Sequence, residues 1–107
     1  MPLYMIQAAY TSEAWAAMAK NPVDRTEAIT RLLDAVGGRF VAAYLSFGEY
    51  DAVVIAEVPD SVTAAAVSIR AIATGHVKTL RTTPLLTIEE GVEAMRTAGT
   101  LDYSAPG

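Results

Sequence analysis

Apolar positions recur along the chain with two periods, and the changes between them mark the elements. Leu3 to Tyr10 alternates Leu3, Met5, Gln7 and Ala9 with Tyr4, Ile6, Ala8 and Tyr10. Both sets are largely apolar, which predicts a strand covered on two faces. Ser12 is placed to cap a short helix over residues 13–20, with Glu13 at its positive end and Lys20 at its negative end. Asn21-Pro22 then predicts the start of a longer helix, with Asn21 as cap and Pro22 in the first turn. Ile29, Leu32, Leu33 and Val36 repeat at i, i+3, i+4 and i+7, giving that helix one apolar face, and Gly37-Gly38 ends it. From Arg39 to about Phe47 the pattern returns to strand, again apolar on both parities.

The stretch from Phe47 to Asp60 organises the rest. Gly48 to Asp51 predicts a turn, with Gly48 free to take a positive φ and Asp51 bonding its own backbone locally. Ala52 to Val58 is a β-branched apolar run too short for a helix, Pro59 closes it, and Asp60 caps the helix that follows. That helix is predicted over 61–74, rich in alanine and stopped at Gly75, with Val62, Ala65, Ala66, Ile69 and Ala73 as its packing face. Val77 to Leu86 is a more polar strand interrupted by Pro84, which assigns it to a sheet edge. Thr87-Ile88-Glu89-Glu90 is a capping-box pattern that opens a last helix, ended by Gly99.

The order is therefore βαββαβ with an extra C-terminal helix: an α+β, ferredoxin-like sandwich on a four-stranded antiparallel sheet. Its first and third strands, the most apolar, are expected in the centre and parallel to each other. Residues 1–99 form one domain and 100–107 a polar tail. Two helices can cover one sheet face only, yet three strands are apolar on both faces. The uncovered face predicts a homodimer with two-fold pairing, the last helix covering part of it.

The ordered set of motifs in this chain is similar to that of the GYD domain family. It comprises Gly48-x-Tyr50-Asp51 with its β-branched strand, then Glu57-x-Pro59-Asp60. Upstream lie Tyr4-Met5-Ile6 running to Tyr10-Thr11, the helix with Trp15, and Asn21-Pro22-x-Asp24-Arg25. Downstream lie Val77-Lys78-Thr79-x-Arg81 and Glu89-Glu90, so the resemblance spans residues 3–96. It implies a ferredoxin-like chain of the dimeric α+β barrel type and brings no assigned activity with it.

Composition narrows the chemistry. The 107 residues include no cysteine, which removes disulfides, thiolate catalysis and cysteine metal sites. A single histidine excludes a multi-histidine zinc centre within one chain, and no metal or cofactor is implied. A net charge of −4 opposes non-specific nucleic-acid binding. No apolar run approaches the ~18 residues of a membrane span, and the first residues lack the basic region of a secretory signal. The expectation is a soluble cytoplasmic protein.

Polar candidates sort into two groups on the expected topology. Glu57, Tyr10, Arg39 and His76 should share one sheet edge, and Tyr50, Asp51 and Tyr4 the other. Glu57, a carboxylate in an apolar strand, is a candidate base; its plainer reading is an ion pair with Arg39. His76 is the one side chain that ordinarily titrates near neutrality, and a loop position after Gly75 is its plainer reading. Tyr10, Arg39, Tyr50 and Asp51 are candidate ligand contacts. Arg70 and Arg81 could receive an anion or form surface ion pairs. Tyr4, Tyr10, Tyr44 and Trp15 suit an aromatic cavity wall or plain core. Three functions are consistent with this set: a dimeric module holding a small ligand between sheets or acting through partners, a cofactor-independent monooxygenase- or isomerase-like enzyme, and a purely structural subunit of a larger assembly. The enzyme reading rests on fold analogy.

Overall fold

The computed structural model describes residues 1–106. The elements run β1 (Leu3–Tyr10), α1 (Ser12–Lys20), α2 (Thr26–Ala35), β2 (Arg39–Leu45), β3 (Ala52–Glu57), α3 (Ser61–Ile72), β4 (Val77–Leu85) and α4 (Ile88–Thr100). One sheet has the order β2-β3-β1-β4 with every neighbouring pair antiparallel. This is the α+β, ferredoxin-like βαββαβ arrangement, with α1 inserted in the first crossover and α4 appended. The polar strand β4 lies at an edge, as its Pro84 requires. No helix among the described residues is long and apolar enough to cross a membrane.

The central pair corrects an expectation. β1 and β3 are antiparallel, with Leu3 opposite Glu57 and Ala8 opposite Ala52. The α1–α2 crossover returns the chain so that β2 runs parallel to β1, and the tight β2–β3 connection then forces β3 to run against both. Every edge assignment changes accordingly. One end of the sheet gathers the start of β1, Arg39 and Glu57, and the other gathers Tyr10, Leu45, Ala52 and Val77.

Helix boundaries follow the hydrogen bonds more than the sequence signals. Thr11, not Ser12, caps α1, its Oγ1 accepting from the Ala14 N–H. Asn21 ends α1 by donating to the Ala17 carbonyl, so α2 starts only at Thr26, whose N–H donates to the Asp24 carboxylate. Asp60 caps α3 through the Thr63 N–H. Thr87 and Glu90 form the full capping box of α4. The expected positive φ at Gly48 is not adopted; Gly37 and Gly75 take it, each just past a helix.

The packing face of α3 also differs. Ala64 and Val67 are buried, whereas Val62 and Ile69 are 80% and 66% exposed. Ala64, Ala65, Ala66 and Ala71 stand on several sides of the helix, and Ser68 lies on its packed side, so the pattern does not choose a face. The cap at Asp60, three residues after β3, sets the phase instead. The core then forms near the Glu57 end of the sheet: Tyr4, Leu33, Ala56, Val58 and Ala64, with Ile29, Phe40 and Val54 against them. Tyr4 and Ser61 share a hydrogen bond of 3.3 Å between their hydroxyls at this end.

The second sheet face carries Met5, Val53, Ile55 and Tyr44, and no helix covers it as expected of the last one. α4 has no buried residue and only Gly91 and Val92 are half-buried. The Cα radius of gyration is 17.1 Å, against about 13 Å for a compact chain of this length. Of the expected tail, Thr100 belongs to α4, residues 101–106 are irregular and exposed, and Gly107 lies outside the described residues.

Gly38 is held where a Cβ would stand 2.6 Å from the Glu57 carbonyl oxygen, backbone that has little room to give. Gly48 has nothing within 4 Å of that position. In urea unfolding, Gly38→Ala is expected to lose about 1–3 kcal/mol, and Gly48→Ala to stay within about 0.5 kcal/mol of the parent.

Candidate functional site

The motif aspartate does more than shape a turn. Asp51 Oδ2 accepts from the Tyr10 N–H at 2.9 Å and from the Trp15 indole Nε1–H at 3.3 Å. Its backbone N–H donates to the Ala8 carbonyl, and its carbonyl accepts from the Ser46 N–H, both at 2.8 Å. The expected local bonding is replaced by a junction of β1, α1 and the β2–β3 connection. Local register explains why. The β1–β4 ladder shifts between Ala9 and Tyr10, and the Asp51 carboxylate takes up the Tyr10 N–H at that shift. The Tyr10 and Trp15 rings meet edge to face, centroids 5.4 Å apart at 87°.

Beside this junction lies a groove of about 1020 Å³ on the helix side of the sheet. α2 lies along β2 and α3 along β4, which leaves the middle strands open between them. Small residues on the facing surfaces keep the space free: Ala8, Ala43 and Ala52 on the sheet, Ala28 and Ala71 on the helices. Ile6, Val54, Leu32 and Leu80 extend the aliphatic lining, and Tyr10, Trp15, Arg25, Arg70 and His76 stand along it. Burial raises the Tyr10 phenol above its ordinary value, Arg25 partly opposes this, and Asp51 adds to it. A phenol is a protonated donor at neutral pH in any case, and the shift leaves it so.

The sequence candidates do not converge. Glu57 and Arg39 meet at the opposite end, Arg39 Nε donating to Glu57 Oε2 at 2.9 Å. That hydrogen bond, ahead of the partial burial that opposes it, holds the Glu57 carboxyl below the ordinary glutamate value. The Arg39 side chain is 66% exposed, so water screens the pair. Tyr10 and His76 lie at the other end, joined through the Thr11 N–H, which donates to the His76 carbonyl at 3.0 Å. The expected grouping of Glu57, Tyr10, Arg39 and His76 is thus split in two by the antiparallel pairing. Asp51 joins Tyr10, while Tyr4 sits at the Glu57 end, opposite Ala56. Tyr50 lines a separate, shallow depression of about 390 Å³ on the other sheet face, with Gln7, Glu49 and Arg81.

Sequence reasoning did not find the groove or the place of Arg25 on it. The available signal was the alanine at each of five positions where sheet and helices face one another.

The GYD domain family matches residues 4–95. An uncharacterised NIPSNAP domain protein from Burkholderia xenovorans is similar at 13% identity and a TM-score of 0.44, over 81% of this chain and 94% of that one. A protein of unknown function from Nitrosomonas europaea is similar at 18% identity and a TM-score of 0.44, over 80% and 89%. No curated protein matches.

Removing the shared acceptor frees two donors in a part-buried setting. Asp51→Ala is expected to cost about 3 kcal/mol in urea unfolding and Trp15→Phe, which spares the Tyr10 bond, about 1 kcal/mol. Equal costs for the two would contradict the junction.

Proposed function

The chain belongs to the GYD domain family, and from that premise we propose that it acts as a small-molecule-binding module, assembled as a two-fold homodimer, with its ligand in the helix-side groove. The observation that carries the reading is the groove itself. It is apolar over most of its wall, has polar groups at one end, and at about 1020 Å³ lies at the top of the range for small-molecule sites. Filled with water, a groove of this size leaves its apolar wall hydrated, and a ligand that covers the wall gains the burial of that surface.

Surface area supports the dimer. The chain exposes 7623 Å², roughly one third more than a folded monomer of 11.3 kDa. The excess is larger than the ~800 Å² each partner contributes to an ordinary stable interface. It arises from the uncovered sheet face and from α4, a helix of 13 residues that would be marginal in water without a surface to lie on. Pairing the open faces of two copies gives the barrel expected of the family, and leaves the groove accessible on the outside of each sheet. Of the two candidate catalytic groups, only His76 borders the groove. Glu57 is at the far end, bonded to Arg39. Binding therefore stands ahead of the enzymatic alternative.

Non-denaturing mass spectrometry tests both parts. The parent protein is expected at twice the chain mass, and Ile55→Asp, a charge on the open face, at the chain mass with an unchanged far-ultraviolet spectrum. Small-molecule mass retained by the parent is expected to be lost in Ala28→Phe, which fills the groove from α2. A parent that stays monomeric contradicts the pairing, and bound mass kept by Ala28→Phe contradicts the groove.

A further inference from the structure

Two cationic side chains, Arg25 and Arg70, stand on the groove of a chain whose net charge is −4, and His76 adds an imidazole beside them. They come from three separate elements: Arg25 at the start of α2, Arg70 in the last turn of α3, and His76 just ahead of β4. Among the described residues the ion pairs are made by Arg31, Arg39 and Arg96, and neither Arg25 nor Arg70 takes part in one. Asp24 lines the groove next to Arg25 and accepts from the Thr26 N–H, while Asp51 accepts from the Tyr10 N–H and the Trp15 indole.

The start of α2 adds to the same field. Arg25 occupies the cap position without a side-chain cap bond, and Asp24 satisfies only the Thr26 N–H. The next N–H groups, of Glu27 and Ala28, begin the positive end of the helix, and Ala28 itself lines the groove. The Tyr10 hydroxyl is a further donor on the wall. The rest of the lining is mostly aliphatic, from Ile6 and Val54 on the sheet to Leu32 and Val67 on the helices, with Asn21, Asp24, Thr26 and Thr74 as its other polar members.

We infer that the groove takes an amphipathic anion, with a hydrocarbon body against the aliphatic floor and a carboxylate-type head received by Arg25, Arg70 and His76. This names the ligand class of the site proposed above and rests on that reading. The arginines offer the planar donor fork that matches a carboxylate, and the body supplies affinity by burying apolar surface. A neutral molecule of the same length would keep the second contribution and lose the first.

Dodecanoate and dodecanol, below their aggregation limits, separate the two. Trp15 is the one tryptophan and lines the groove, so its emission reports occupancy, with calorimetry as the independent measure. Dodecanoate is expected to bind roughly tenfold more tightly than dodecanol, the size of one charge-assisted hydrogen bond. The exposed substitutions Arg25→Gln and Arg70→Gln should each weaken dodecanoate several-fold and leave dodecanol unchanged. Equal affinity for the two probes, or arginine variants that lower both alike, would overturn the anion assignment while leaving the groove a binding site. Binding of neither probe by either measure would overturn the groove and the assignment together.

Discussion

The Asp51 carboxylate receives the Tyr10 amide and the Trp15 indole on one oxygen, while its own amide and carbonyl are held by Ala8 and Ser46. These four bonds reach β1, α1 and the end of β2 from a single residue. They fix where β1 stops pairing with β4 and where the β2–β3 connection turns. They also hold α1, a helix of nine residues with only Ala14 buried, against the end of the sheet. Without that anchor α1 has little apolar contact to position it, and Trp15, Met18 and Asn21 would no longer wall the groove. The glycine, tyrosine and aspartate of the motif are thus unequal. Gly48 is free of close contacts, Tyr50 faces the opposite side of the sheet in the shallow depression, and Asp51 ties the elements together.

The fold has a packed end and an open end. At the packed end Leu33, Val58 and Ala64 close α2 and α3 onto the sheet, and Gly38 brings the chain within backbone contact of Glu57. At the open end alanines replace the larger side chains, and the space between the helices persists. A small domain has few apolar contacts to spare, so this division concentrates stability at one end and leaves the other adaptable. Apolar surface that this chain does not bury on itself then includes the groove, the second sheet face, the outer side of α3 with Val62 and Ile69, and α4 with Ile88 and Met95.

Element identity was legible because it depends on neighbours in sequence. Asp60, Pro59, Gly75 and the Thr87–Glu90 box act within four residues of themselves, and each marks the boundary it signals. Direction and partnership were less legible because they depend on distant residues. Nothing local to Ala52–Glu57 states whether it runs with or against Leu3–Tyr10. That follows from the handedness and length of the connections, and mistaking it placed Tyr10 with Glu57. α3 failed for another reason: alanine on every side gives no preferred face. The oxygen of Asp51 could have bonded its own turn equally well by sequence. Its choice of Tyr10 and Trp15 comes from a ladder shift that no local pattern announces. The Arg39–Glu57 pair needed only the two strands adjacent in register, and those residues face each other whichever way β1 runs.

Asp51 acts as the junction of β1, α1 and the β2–β3 connection, and amide hydrogen exchange tests this most directly. By nuclear magnetic resonance, the Tyr10 amide and the Trp15 indole Nε1–H should exchange together. Their protection should approach that of the Ala56 amide in the packed strand, because all open with the same cooperative unit. Exchange of both protons as fast as the exposed amides of Gly48 and Glu49 would contradict it. Asp51 would then be a turn residue, and the wall of the groove would lack its anchor.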